Sequence, residues 1–212
     1  MFQDREEAGK RLAGALEDYR NKDTVVLAIP RGGVEIGYQV ARYLNARFSV
    51  LISRKLPFPG NPESGFGAIA EDGSFYIFRQ FASGIAEETM AGIIAEQKGE
   101  IERRIAVLRK GRPLPEISEK TVILTDDGLA MGSTMRAAVT LCRKREAGKI
   151  VVAVPVAGPR VAREFQNLAD EAVILETPPF FRAVAQVYRN WYDVTDSEVL
   201  DIMDRWKKRR EK

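Results

Sequence analysis

Short apolar runs alternate along most of this chain with stretches whose apolar residues recur at helical spacing. Ala8, Leu12, Ala13 and Leu16 fall on one face of a helix expected over Asp4 to Arg20. A strand follows from Thr24 to Ile29, then Pro30-Arg31-Gly32-Gly33, then a helix from about Val34 to Leu44. Arg47 to Ile52 reads as a second strand. The next stretch, Ser53 to Gly65, holds Pro57, Pro59, Pro62, Gly60 and Gly65, a composition that predicts a long loop. Gly67–Glu71 and Ser74–Phe78 flank Asp72-Gly73, the signal of a hairpin with a type I′ turn. Met90, Ile93, Ile94, Ile101, Ile105 and Leu108 keep a helical period from Ile85 to Lys110, and the charged opposite face reads as solvated. Residues 111–120 form a connector. Further strands are expected at Thr121–Thr125, Ile150–Val154 (ended by Pro155) and Ala172–Leu175, with helices ending near Arg145 and covering Pro159–Asn167. Thr195 and Glu198 form a capping box for a last helix that ends near Lys208.

This alternation predicts an α/β fold with a mainly parallel five-stranded sheet flanked by helices. The core should span residues 1–175, including a flexible loop and hairpin at 53–78. Residues 176–212 form a small C-terminal hood that is not an independent domain.

Composition narrows the chemistry. The 212 residues contain no histidine, which excludes Ser-His and Cys-His catalysis and histidine-ligated zinc. Cys142 is the one cysteine, so there is no internal disulfide, and its place beside Ala138 and Leu141 makes it a core thiol. A net charge of +3 suits an anionic ligand. The basic run Lys207-Lys208-Arg209-Arg210 reads as a helix terminus complementing its dipole, so nucleic acid is not the expected partner. There is no apolar stretch of membrane-spanning length and no signal-peptide pattern, and the expected location is cytoplasmic.

The candidate chemistry centres on Thr121 to Met135, TVILTDDGLAMGSTM. A buried strand delivers Asp126 and Asp127 to its carboxyl end, where open α/β sheets hold ligands. The segment Gly128-Leu129-Ala130-Met131-Gly132-Ser133-Thr134 leads into a helix N-terminus, whose N–H groups and dipole favour a phosphate. An acid pair beside a phosphate cradle fits a sugar phosphate. Arg31 offers a fork of donors at an earlier strand tip, and Arg54 and Lys55 open the predicted loop as cations of a lid over a polyanion.

VILTDDGLAMGSTM resembles the phosphoribosyl pyrophosphate (PRPP) signature of the type I phosphoribosyltransferases. AIPRGG resembles that family's pyrophosphate loop, and Arg54 to Gly67 its flexible catalytic loop, in the same order. RKLPFPGNPESGFGAIAEDG and the aromatic tail look most like a bacterial subgroup of predicted phosphoribosyltransferases whose acceptor is unknown. The resemblance implies the type I phosphoribosyltransferase fold and Mg²⁺-dependent transfer of the ribose 5-phosphate group of PRPP to a nitrogenous base or other amine, with release of pyrophosphate. The alternative is a PRPP-binding regulator with little or no catalysis.

In this resemblance Asp126 and Asp127 hold the ribose hydroxyls. Residues Gly128 to Thr134 hold the 5-phosphate, and Arg31, Gly32, Arg54 and Lys55 hold the pyrophosphate. A cis peptide is expected at Arg31–Gly32. Mg²⁺ is bound mostly through ligand oxygens and water, with no firm protein ligand. Val156, Phe180, Phe181, Tyr188 and Trp191 are the candidates for an acceptor pocket, and a homodimer is compatible with the family. Met131 stands where the family usually has a Thr whose hydroxyl binds the 5-phosphate. Ala130 replaces the acid of the 6-oxopurine enzymes, and Pro155 and Val156 offer no lysine for a purine carbonyl. Both changes argue against hypoxanthine or guanine as acceptor.

Overall fold

The structure, a computed structural model, describes residues 1–210, apart from the side chains of Glu63 and Arg210. Helix α1 (Arg5–Ala15) begins at Asp4, whose carboxylate caps the Glu7 N–H at 2.9 Å. It stops before the expected Arg20, and a 3-10 turn over Glu17–Tyr19 brings Tyr19 into the core. The chain continues through β1 (Thr24–Ala28), α2 (Gly33–Leu44) and β2 (Arg47–Val50). Next come β3 (Ser53–Phe58), β4 (Asn61–Ala70), β5 (Phe75–Ile77), α3 (Arg79–Ala82) and α4 (Glu87–Arg109). The second half is β6 (Thr121–Thr125), α5 (Ser133–Lys144), β7 (Lys149–Val156), α6 (Pro159–Leu168), β8 (Glu171–Glu176) and α7 (Asp196–Arg210).

The main sheet has the order β2-β1-β6-β7-β8, and each neighbouring pair is parallel. Strand order reverses between β1 and β6. Crevices for ligands open at such a switch point, outside the carboxyl ends of the strands. The five strands carry near-continuous apolar runs because both faces are covered. Val26, Ala28, Ile123 and Val151 pack towards α1, α2 and α7, through Leu12, Val40, Leu44 and Trp206. Val25, Leu27, Val122, Leu124 and Val152 pack towards α5 and α6, through Met135, Leu141, Cys142 and Phe165. Burial pushes the Cys142 thiol up to about 12, as befits a core thiol.

Several sequence expectations are corrected. The predicted long loop at 53–65 is an antiparallel arm, β3 against β4. Pro57 sits between two register shifts, Pro59-Gly60 make the turn, and Pro62 lies outside the part of β4 that pairs with β5. No proline therefore interrupts a regular two-sided ladder. The β4–β5 turn is not type I′. The Gly73 N–H donates to the Ala70 carbonyl at 2.9 Å, the Ala70 N–H donates to the Ser74 carbonyl at 2.7 Å, and Gly73 alone of Asp72-Gly73 has a positive φ, +84°. That is a three-residue loop with a left-handed glycine. Pro155 lies inside β7, beyond Ala153, the last β7 residue paired with β6. The charged side of α4 is not wholly solvated: Gln97, Arg104 and Arg109 are buried. The Thr195–Glu198 capping box is present, with the Glu198 N–H on Thr195 Oγ1 at 3.2 Å and the Thr195 N–H on Glu198 Oε2 at 2.8 Å.

The C-terminal tail returns to the amino terminus. The Phe2 N–H donates to the Val187 carbonyl at 2.6 Å, and the Arg189 N–H donates to the Phe2 carbonyl at 2.9 Å.

Candidate active site

Two strand tips meet at the switch point. After β6 the chain presents Asp126 and Asp127, and after β1 it turns through Arg31, Gly32 and Gly33 into α2. The two segments touch directly. A Cβ on Gly32 would overlap the Asp127 carboxylate, and one on Gly33 would approach the Asp126 Cα to 2.8 Å. The paired glycines are therefore what lets the Arg31 loop lie against the acid pair. The non-proline cis peptide falls between Pro30 and Arg31, one bond before the expected Arg31–Gly32.

Asp126 Oδ1 accepts the Asp127 N–H at 2.9 Å. Asp127 Oδ2 accepts from Arg5 Nε at 2.9 Å, and its carbonyl accepts the Tyr188 hydroxyl at 2.7 Å. Burial raises both carboxyls above the ordinary range. For Asp126 the neighbouring Asp127 charge adds to the rise, whereas Arg5 pulls Asp127 back down. The Arg5 side chain is only 7% exposed. Its guanidinium lies 4.0 Å from the Trp191 ring centroid and donates to the Tyr192 carbonyl at 3.0 Å.

The segment after the acid pair is stitched to β7 by the Leu129 N–H on the Val156 carbonyl at 2.9 Å. It then enters α5 through Gly132, and no side chain caps that helix. Residues 128–134 line a cavity of about 320 Å³ together with Lys55, Gly65 and Val184. A helix N-terminus without a side-chain cap has first-turn N–H groups to offer an anion. A larger cavity of about 410 Å³ lies at the β2 edge between α4 and α7, and none of the predicted site residues line it. The phosphate-type loop and a lysine converge at the smaller one.

Strand alternation separates the two cations of the arm. Lys55 faces the 128–134 loop. Arg54 points towards α4, where its Nε donates to Gln97 Oε1 at 3.1 Å. Burial, then the Arg104 charge, lower the Arg54 pKa, and Arg31 and Arg103 act in the same direction. Two acids temper this arginine basin. Glu100 accepts from Arg103 Nε at 2.7 Å and from Arg104 Nε at 2.8 Å, which holds its carboxyl down at about 2. Asp196 faces Arg31 at 3.7 Å and Arg103 at 3.0 Å.

Neither of these two cavities is lined by the predicted acceptor residues. Val156 is buried beneath Gly128, Phe181 lies beside Gly158, and Phe180 is 87% exposed. Tyr188 and Trp191 stack near each other, ring centroids 5.3 Å apart, and flank Arg5. Sequence reasoning missed Arg5, Arg103, Arg104, Asp196 and Val184. Arg104 left a trace, because with Gln97 it occupies the 97-101-104-108 spacing of the buried face of α4, where a polar residue needs a partner. Arg5 left none, since its partner lies 122 residues away.

A family model described as the phosphoribosyl transferase domain matches residues 3–189. The chain is 39% identical over 207 residues to a Mycobacterium tuberculosis protein, found in strains CDC 1551 / Oshkosh and H37Rv, that bears a provisional phosphoribosyl transferase name. That match covers 97% of this chain and 47% of the relative, so the chain spans about half the length of the curated relatives it matches. A Thermus thermophilus protein solved by crystallography is 35% identical with a TM-score of 0.81, over 97% of this chain and 99% of that one. The purine phosphoribosyltransferase of Pyrococcus horikoshii Ot3 shares the fold, with a TM-score of 0.50 at 14% identity over 90% of this chain and 92% of its own.

Proposed function

The chain belongs to the phosphoribosyl transferase domain family, and from that premise we propose that it transfers the ribose 5-phosphate group of PRPP to a nitrogenous acceptor, releasing pyrophosphate. One observation carries the reading. The acid pair, the uncapped 128–134 loop and the Arg31-Gly32-Gly33 turn meet at one switch point, with Lys55 facing the loop.

Asp126 and Asp127 accept hydrogen bonds from the ribose 2- and 3-hydroxyls, and Arg5 favours the ionised form of Asp127 against the effect of burial. The N–H groups of residues 128–134 and the Ser133 and Thr134 hydroxyls take the 5-phosphate, and Lys55 closes on it from the arm. The bond from the anomeric carbon to the pyrophosphate oxygen breaks with its electron pair leaving on oxygen, a bond to the acceptor nitrogen forms, and the proton that this nitrogen gives up leaves with the pyrophosphate. Arg31 and Arg54 stabilise the charge that grows on the departing group. The closed arm keeps water from the cationic sugar.

Mg²⁺ would be held mostly by substrate oxygens and water, because among the described residues no group of three or more Asp, Glu, Cys or His is placed to hold a metal, and Arg5 already holds one oxygen of Asp127. When bound, the ion spreads the negative charge of the diphosphate. The acceptor stays open at the level of a nitrogenous base or amine. A second reading, PRPP binding without turnover, is favoured by Met131, which lines the 128–134 cavity where the resemblance puts a Thr.

The test is to incubate the chain with PRPP, Mg²⁺ and a panel of bases while following pyrophosphate. Release that depends on one base supports the enzyme. Binding with no release across the panel supports the second reading, and absence of PRPP binding removes both.

A further inference from the structure

At the first turn of α7, Asp196 is held on both oxygens by arginines. Oδ2 accepts from Arg103 Nη2 at 3.0 Å, and Oδ1 faces Arg31 Nη1 at 3.7 Å. The second distance is an ion pair but too long for a hydrogen bond, and Asp196 Oδ1 is buried with no hydrogen-bond partner. An anionic group bridging two guanidiniums is the arrangement by which arginines hold a phosphate. Here a carboxylate of the chain itself occupies it, beside the turn that lies on the acid pair.

Charge points the same way. Arg31, Arg54, Arg103 and Arg104 share this basin with Glu100 and Asp196. Guanidiniums outnumber carboxylates, and the surplus suits a polyanion. Arg104 is buried against Glu100 and forms a fixed background. Arg103 is different: its side chain is 47% exposed, and Glu100 orients its fork through bonds of 2.7 and 2.9 Å. It is both aimed and accessible.

We infer that Arg103 is a ligand of the diphosphate group of the substrate, and that Asp196 competes with that diphosphate for Arg31 and Arg103. The inference rests on the PRPP reading and assigns a residue outside the three motifs to the same site. On ligand entry the two arginines exchange the Asp196 carboxylate for phosphate oxygens. Helix α7 keeps its start, because the reciprocal Thr195–Glu198 bonds do not involve Asp196.

The experiment titrates the full chain by calorimetry with Mg²⁺-pyrophosphate and, separately, with ribose 5-phosphate, using the wild type, Arg103→Met and Asp196→Asn, with Tm measured for each. Arg103→Met should weaken pyrophosphate about tenfold or more, the scale of one charge-assisted hydrogen bond, and leave ribose 5-phosphate unchanged. Asp196→Asn should tighten pyrophosphate by about threefold or more through loss of the competitor, again without effect on ribose 5-phosphate. A merely structural role would make both variants weaker binders, so the opposite signs are decisive. If the wild type binds pyrophosphate but Arg103→Met matches it, or Asp196→Asn binds less tightly, the inference is overturned while the PRPP reading stands. A wild type that binds neither ligand overturns both.

Discussion

Asp126 and Asp127 face one guanidinium, that of Arg5, whereas Arg31, Arg54, Arg103 and Arg104 face two carboxylates, Glu100 and Asp196. Carboxyls outnumber guanidiniums in the first basin and guanidiniums outnumber carboxyls in the second, and the two meet at the carboxyl ends of β1 and β6 across the Gly32-Gly33 turn. A third charged cluster differs from both. Arg109 and Glu71 are almost fully buried and pair through both guanidinium nitrogens, and Arg109 also donates to the Val50 carbonyl at 3.1 Å. That pair is balanced in charge. A buried charge left uncompensated is costly, so unbalanced basins mark where a ligand completes the protein, hydroxyl donors at the acids and a polyanion at the arginines, and balanced ones mark where the fold is fastened.

The same kind of substitution should therefore act differently in the two settings. Arg109→Met leaves Glu71 buried and unpaired and should cost about 3–5 kcal/mol in denaturant unfolding. Arg31→Met should cost less than about 1 kcal/mol, because its pair with Asp196 is partly exposed, yet it should weaken PRPP binding. Equal stability losses would erase the distinction between fastening and binding clusters.

Next in size is the acid basin. Asp126→Asn with Asp127→Asn should lower PRPP affinity by about 100-fold or more, the loss of two charge-assisted acceptors. The Asp126 half of that change should not itself cost stability, whereas the Asp127 half leaves the buried Arg5 guanidinium facing a neutral partner. Burial raises both carboxyls, so in the folded state the ionised forms are penalised relative to the unfolded chain. The penalty develops as pH rises from about 4, the unfolded value, through the raised folded values, and neutral amides escape it. An Asp126→Asn single variant that unfolds more readily at neutral pH would contradict this.

The same sign predicts the effect of pH on binding. Hydroxyl donors need carboxylate acceptors, so PRPP affinity should fall on acidification, beginning above the ordinary carboxylate value of about 4. Arg5→Met removes what pulls Asp127 down and should move that fall to still higher pH. Calorimetry over a pH series reads both effects. An Arg5→Met profile that coincides with the wild type would show that Arg5 does not set the charge of Asp127.

The two basins were not equally legible in the sequence. The acid basin is local: one strand, two aspartates and one Gly-containing turn lie within Thr121 to Thr134, so strand period and loop chemistry suffice. The parallel sheet was readable for a similar reason, since apolar runs covered on both faces have few alternatives. The arginine basin is assembled from the β1 turn, the arm, α4 and the start of α7, and its contacts join residues as distant as Arg103 and Asp196. Charged positions on a long helix look solvated until the partner element is placed. The arm misled for another reason. Prolines and glycines at 57–65 argue against a regular ladder, but a two-stranded arm with register shifts has places for them. The aromatic tail gave the residues of the hood, but Tyr188 and Trp191 serve the N-terminal Arg5, a contact with no local signal.

The smallest expected effect completes the contrast between the two halves of the site. Met131 is 37% exposed and lines the 128–134 cavity, so it has little core packing to lose. Met131→Thr places a hydroxyl where the resemblance to the type I enzymes puts one. It should tighten ribose 5-phosphate by about threefold, the value of one weak neutral hydrogen bond, with Tm nearly unchanged. Pyrophosphate affinity should not move. Arg103→Met predicts the mirror image, pyrophosphate weakened and ribose 5-phosphate untouched. If Met131→Thr shifted both ligands together, the cradle and the arginine basin would be one coupled surface and not two separable halves of the site.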